Sequence, residues 1–180
     1  MGVQVGILSN FLLRQRNSLA AKYVKGKMLD VGCNEGEFRK FILPNTNYFG
    51  IDINPKPKKV NFPFKQLSVE NNLEQLGKFD SVTLIALIEH LKKPEKAIKN
   101  VHKILNKKGR IIITTPSKIG DKIHSITSTI GLVSKFAAED HQKIFSLEEL
   151  EFLLKNQGFK IIESKTFFFG LNLLVVGEIE

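Results

Sequence analysis

Two carboxylates and one short glycine-bearing loop stand out as residues whose types and spacing could do chemistry. The loop reads Asp30-Val-Gly-Cys-Asn-Glu-Gly36 and grows out of the apolar run Lys27 to Val31. Glycine reaches positive φ angles and lets a backbone come close to a ligand. Open α/β sheets bind their ligands where strands turn at the carboxyl edge of the sheet. Gly32 and Gly36, with Asn34 between them, do not form the G-x-G-x-x-G of a pyrophosphate loop, and no P-loop lysine-serine pair follows. An acid in the loop suits a cationic, amino-acid-type ligand better than a pyrophosphate. Asp52 ends the next apolar run, Tyr48 to Ile53, where a carboxylate can accept hydrogen bonds from ribose hydroxyls. The ligand these features describe is nucleoside-like, with an amino-acid part in place of a diphosphate.

Four histidines could move a proton near neutral pH: His90, His102, His124 and His141. His141 follows an irregular segment and is the first candidate for a base or substrate ligand. His90 follows a fourth strand at the ligand edge, where a structural hydrogen bond to the adjacent loop is an equal reading. His124 lies inside the irregular segment, and His102 is expected to face solvent on a helix. Glu89 reads as orienting a backbone or pairing with a basic group. No two histidines have metal-ligand spacing with a carboxylate, so no metal is expected. The single cysteine, Cys33, excludes an intramolecular disulfide and reads as a small packing residue beside a strand.

The elements that must position these groups alternate between strand-type and helix-type patterns, which predicts a mostly parallel sheet with helices on both faces. A helix is expected from about 9 to 25, capped by Ser9 or Asn10 and ended by Gly26. Strands follow at 27–31, 48–53, 64–67, 80–87 and 110–115, with a helix from about Glu35 to Leu43 after the loop. A second helix begins near Pro94 and is closed by Gly109. Ser146-Leu-Glu-Glu149 has the spacing of a capping box and opens a third helix. Two last strands, 159–166 and 171–179, join near Gly170 as an antiparallel hairpin, giving seven in all. Phe167, Phe168 and Phe169 are expected to pack in the core and hairpin.

The length, 180 residues, suits one domain, with residues 1–26 as an N-terminal helical cap and 117–140 as a lid. The lid's apolar character suits a lipid-like or aromatic substrate, a plain amphipathic helix on the core being the alternative. No apolar run is long enough to span a bilayer, and the N-terminus is a poor signal peptide, so a cytoplasmic protein is expected. The net charge of +9, from 27 basic and 18 acidic residues, leaves RNA, anionic lipid or phosphorylated partners open beside a plain solvated lysine face.

LDVGCNEGEF (29–38) resembles the first motif of class I S-adenosylmethionine-dependent methyltransferases, and GIDINP (50–55) the second. FDSVTLIALIEHL (79–91) resembles their fourth-strand segment, and KAIKNVHKILNKKGRIIITTPS (96–117) the helix and strand that follow. DHQKIFSLEELEFLLKNQGFKIIE (140–163) resembles the C-terminal segment of the small-molecule and quinone-type branch, and of some wobble-uridine tRNA methyltransferases. The resemblance runs from about Lys27 to Ile162 and implies a Rossmann-like, doubly wound sheet.

It also implies S-adenosyl-L-methionine as cofactor, released as S-adenosyl-L-homocysteine. Asp30, Gly32, Cys33 and Gly36 would form the loop around the methionine part, with Asn34 in place of the usual middle glycine. Asp52 would bind the ribose and Ile53 would pack on the adenine. Ser68 and Val69 would meet the adenine edge through the backbone, since the usual aspartate is missing. Leu84 and Ile85 would lie near the sulfonium. The expected activity is methyl transfer to a small-molecule, lipid or glycan-precursor acceptor. A tRNA-modifying enzyme and a non-catalytic S-adenosylmethionine-binding module are the alternatives, and the glycine spacing disfavours an NAD-dependent enzyme.

Overall fold

The computed structural model describes residues 7–57, 61–120 and 142–180. Seven strands form one sheet: β1 (Met28–Val31), β2 (Tyr48–Asp52), β3 (Phe64–Gln66), β4 (Phe79–Ile85), β5 (Leu105–Pro116), β6 (Lys160–Phe167) and β7 (Asn172–Glu178). Their order is β3-β2-β1-β4-β5-β7-β6. The first five run parallel, while β7 is antiparallel to both β5 and β6. The expected Rossmann-like sheet and C-terminal hairpin are therefore present. The chain reverses its winding between β1 and β4, the topological switch point at which such sheets open a crevice. Val31 lies there in register with Ile51 on one side and Leu84 on the other.

Among the described residues, helices α1 (Ile7–Ala21), α2 (Pro94–Ile104) and α3 (Leu147–Lys155) cover the sheet. In α2, Ala97, Ile98, Val101 and Ile104 are spaced to make one apolar stripe, and all are buried. With Leu150, Leu153 and Leu154 of α3 they pack on one sheet face against Val82, Ile111, Ile113 and Val175. Ala20 of α1 packs on the opposite face against Met28, Ile112, Leu174 and Val176. The alternation along β5, Ile111 and Ile113 to one side and Ile112 to the other, is what gives the sheet two apolar faces.

The Ser146 capping box forms as its spacing predicts. The Ser146 hydroxyl accepts from the Glu149 amide, and Glu149 accepts from the Ser146 amide. Three expectations are corrected. The segment after the loop is a single 3-10 turn, Glu37–Phe41, instead of a helix from Glu35 to Leu43, because Phe38 anchors it by turning inward beside Cys33 and Phe62. Helix α1 starts at Ile7, so Ser9 and Asn10 lie inside it, and it stops at Ala21, five residues before Gly26. Helix α2 stops at Ile104, because Leu105 already pairs with Phe79 of β4. Gly109 follows a left-handed Lys108 (φ 59°) within the strand that comes next.

Candidate active site at the carboxyl edge

The loop after β1 is tied to β2 by backbone hydrogen bonds. The Gly32 and Cys33 amides both donate to the Ile51 carbonyl, at 2.8 and 3.1 Å. The Gly36 amide donates back to the Cys33 carbonyl at 2.7 Å, closing the turn. Gly32 and Gly36 take φ of 71° and 76°, and Asn34 between them takes 44°. Asparagine is among the few non-glycine residues that tolerate this left-handed region. A Cβ on Gly36 would sit 2.5 Å from the Phe62 ring, so geometry and space both demand glycine there.

Asp52 holds the loop from the other side. One of its carboxylate oxygens accepts the Asn34 amide and the other accepts the Asn54 amide, each at 2.9 Å. An ionised carboxylate offers about four acceptor positions, so these two bonds leave acceptor capacity directed at the crevice.

A cavity of about 560 Å³ opens at this edge, walled by Gly32, Asn34, Asp52, Ile53, Ser68, Val69 and His90 among the residues expected from sequence. Val31, Asn54, Leu67, Leu87 and Leu91 complete its wall and were not foreseen. The Val69 side is braced from outside the cavity. The Asn100 side-chain amide on α2 donates to the carbonyls of Val69 (3.0 Å) and Asn71 (2.7 Å). Ile53 remains 68% exposed on the rim, an apolar surface held open to solvent.

Asp30, Cys33, Gly36, Leu84 and Ile85 are not on the cavity wall. Asp30 points into the protein, where its carboxylate accepts the Tyr48 and Thr83 hydroxyls, both at 2.7 Å. Burial pushes its carboxyl up to about 6, against the pull of those two hydrogen bonds. Cys33 is buried against Gly50. Burial, with Asp30 and Asp52 nearby, pushes its thiol up to about 12, which keeps it protonated and unreactive. Leu84 lies in the core and Ile85 packs against the opposite cluster.

His90 closes a 3-10 turn, Ile88–His90, that brings it to the cavity. Its neighbour Glu89 is buried and turned away. The Thr115 hydroxyl donates to the Glu89 carboxylate at 3.0 Å, and the Glu89 carbonyl accepts the Gln142 and Lys143 amides. Burial raises the Glu89 carboxyl above its usual range. A backbone hydrogen bond, the charge of His90, the Thr115 hydroxyl and, least of these, Arg16 on α1 counter that rise. The Nε of Arg16 is buried and lacks a hydrogen-bond partner. Arg16 escaped sequence reasoning because nothing in its spacing marks it off from the exposed Arg14 two residues earlier. His102, expected in solvent, is half-buried with its ring edge-on to Phe159 at 5.2 Å, remote from the cavity wall. His124, His141 and most of the expected lid lie outside the described residues. No group of three or more His, Cys, Asp or Glu among the described residues could hold a metal ion.

A family model described as a methyltransferase domain matches residues 7–164. A ubiquinone biosynthesis O-methyltransferase of Dechloromonas aromatica is 30% identical over 113 residues, covering 56% of this chain and 47% of that protein. One from Acinetobacter baylyi is 25% identical over 169 residues, covering 84% and 69%. The chain thus spans about half the length of the first curated relatives it matches. Among solved structures, the magnesium protoporphyrin IX methyltransferase of Synechocystis PCC 6803 with bound SAH superposes with a TM-score of 0.71, at 16% identity, over 100% of this chain and 90% of that one. The match over residues 7–164 and the shared sheet place the chain in a family: it belongs to the class I, S-adenosylmethionine-dependent methyltransferases.

Proposed function

We propose that the chain transfers a methyl group from S-adenosylmethionine to an oxygen of a small, largely apolar acceptor. The observation that carries this reading is the Asp52 carboxylate, aimed across a cavity with no pyrophosphate seat. The segment that follows the loop is only a 3-10 turn, so no α-helix N-terminus faces the cavity from there to hold a diphosphate.

The residues present fit the cofactor part by part. Asp52 would accept the ribose hydroxyls with its remaining lone pairs. Ile53 and Leu67 would flank the adenine, and the Ser68–Val69 backbone would meet its edge. The turn at Gly32 and Asn34 would take the methionine part.

When bound, the cofactor supplies an activated methyl group on a sulfonium. The chain's own work is then to align acceptor and methyl and to keep water out, which accounts for much of the rate in a displacement of this kind. His90, on the cavity wall, is the described residue placed to take a proton from a hydroxyl acceptor; His141, the first candidate from sequence, lies outside the described residues. An oxygen acceptor is favoured by the curated relatives named for O-methyl transfer. The net charge of +9 supports tRNA as a second reading.

Titration calorimetry with S-adenosylmethionine and with NAD tests the cofactor. S-adenosylmethionine should bind and NAD should not. Asp52→Ala should weaken S-adenosylmethionine binding by about 10- to 100-fold, the loss expected when hydrogen bonds to a charged group are removed. Binding of NAD alone, or an Asp52→Ala variant with full affinity, would overturn the site. A mass-spectrometric methyl-transfer screen over phenols, lipids and tRNA then decides the acceptor.

A further inference from the structure

The hairpin β6–β7 ends in Phe167-Phe168-Phe169-Gly170, and its tip is not buried as the run of phenylalanines suggests. Phe169 is 92% exposed. Phe168 and Phe169 both take left-handed backbone (φ 50° and 54°), a conformation that costs a bulky residue about 1–2 kcal/mol and that glycine or asparagine would adopt more easily. The turn thus holds the Phe169 ring outward at a local cost, with Phe168 half-buried beside it.

The tip lies at the same sheet edge as the cavity. Ser117, just past the end of β5, donates its amide to the Leu171 carbonyl at 2.9 Å and its hydroxyl to the Gly170 carbonyl. Phe168 packs against Phe169 on one side and against Phe11 of α1 on the other, with ring centroids 5.4 and 5.2 Å apart. Phe11, Ile119 and Phe169 are all exposed, Phe11 beside Phe168 and Ile119 two residues past the Ser117 that holds Gly170.

The unpaired charge on the α1 side of this surface is positive: helix α1 contains no acidic residue, and Arg14 and Lys22 stand exposed. The nearby acids are already engaged: Glu149 pairs with Lys118, and Glu163 accepts the Tyr23 hydroxyl and faces Lys165. Beneath Phe168, a groove of about 210 Å³ is lined by Gln15, Ser18 and Lys22, which can donate hydrogen bonds to an anionic oxygen.

We propose that this face docks on a bilayer surface carrying anionic phospholipids. Phe169, Phe11 and Ile119 enter the headgroup boundary, and Lys22 in its groove meets a lipid phosphate. Aromatic side chains with flanking basic residues are the chemistry that interfacial binding uses. No helix among the described residues is long and apolar enough to cross a membrane, so contact is at the surface. The inference stands apart from the methyl-transfer reading, although it would set the cavity edge against a source of lipid-like acceptors.

Vesicle flotation of the full chain tests it. The chain should float with vesicles of mixed phosphatidylglycerol and phosphatidylcholine, stay behind with phosphatidylcholine alone, and release as salt rises. Phe169→Glu should lower partitioning by about tenfold or more, since it removes one inserted aromatic side chain, while Phe169→Leu retains most of it. Circular dichroism and S-adenosylmethionine affinity should be unchanged in both variants. Absence of flotation with the mixed vesicles, or flotation that Phe169→Glu leaves intact, overturns the proposal. Concentration-dependent self-association that Phe169→Glu abolishes, without vesicle binding, also overturns it and gives the face to a second copy of the chain.

Discussion

Replacing Asp30 by asparagine separates a structural carboxylate from a ligand-binding one. Asp30 sits at the root of the cofactor loop, 3% exposed, between the Tyr48 and Thr83 hydroxyls. Its carboxyl ionises near 3.8 when unfolded and at about 6 when folded, chiefly because burial disfavours the charge. Well below pH 3.8 it is protonated in both states and contributes nothing to the pH dependence. As pH rises, the unfolded chain ionises first, so stability falls until the folded-state group ionises too. Above pH about 6 the whole difference, about 3 kcal/mol at ~1.4 kcal/mol per pH unit, counts against the fold. Asp30→Asn removes that penalty and keeps an oxygen for the Tyr48 hydroxyl. Its amide can donate to the Thr83 oxygen, whose hydroxyl already leans on the Leu29 carbonyl at 3.4 Å. Urea unfolding of both proteins at pH about 4.5 and about 8 gives the difference, in which other titrating groups such as Glu89 cancel. The variant should gain up to about 3 kcal/mol on the wild type at the higher pH and much less at the lower. An advantage equal at both values would refute the buried-carboxyl argument. A loss of S-adenosylmethionine affinity as large as that of Asp52→Ala would show that Asp30 touches the ligand.

Two further substitutions probe the frame of the cavity. Gly36→Ala should cost at least about 2 kcal/mol in thermal melts, from the φ of 76° and the Phe62 ring 2.5 Å from the new methyl. Adding Phe62→Leu should recover the crowding part and leave the backbone part. Asn100→Leu leaves the Val69 and Asn71 carbonyls without their partner, so it should cost about 1–3 kcal/mol and weaken cofactor binding through the Val69 wall. Lys96→Ala on the exposed side of the same helix, as a comparison in both assays, should change neither.

Much of the architecture was readable because it rests on local rules. The Ser146–Glu149 box, the β-branched run of β5 and the Gly170 turn each name their element from a few adjacent residues. The cavity wall was half readable for the same reason. Gly32, Asn34, Asp52 and Ser68 sit where parallel strands end, and strand ends are visible in sequence. What sequence could not give is direction. Asp30 and Asp52 are both aspartates near strand ends, yet Asp30 is drawn inward by Tyr48, eighteen residues away, and by Thr83, fifty-three away. Phe38 likewise turns a segment with helical spacing into one 3-10 turn by docking beside Phe62. The phenylalanines at 167–169 look like core in composition, and only the left-handed turn sends the last one outward. Leu87 and Leu91 reach the cavity through the 3-10 turn at Ile88–His90, which no periodicity announces.

The two amides held by Asp52 bear on how tightly a nucleoside can be gripped. Asn34 and Asn54 belong to different loops, and one carboxylate fixes both at 2.9 Å through the chain's own hydrogen bonds. The ribose end of the cleft is thus rigid in advance. A ligand arriving there freezes little backbone, so its contacts are not eroded by the ~1–2 kcal/mol per residue that ordering a loose loop would cost. Selectivity at that end then comes from shape already set, and any adaptation on binding must fall to the acceptor side of the cleft.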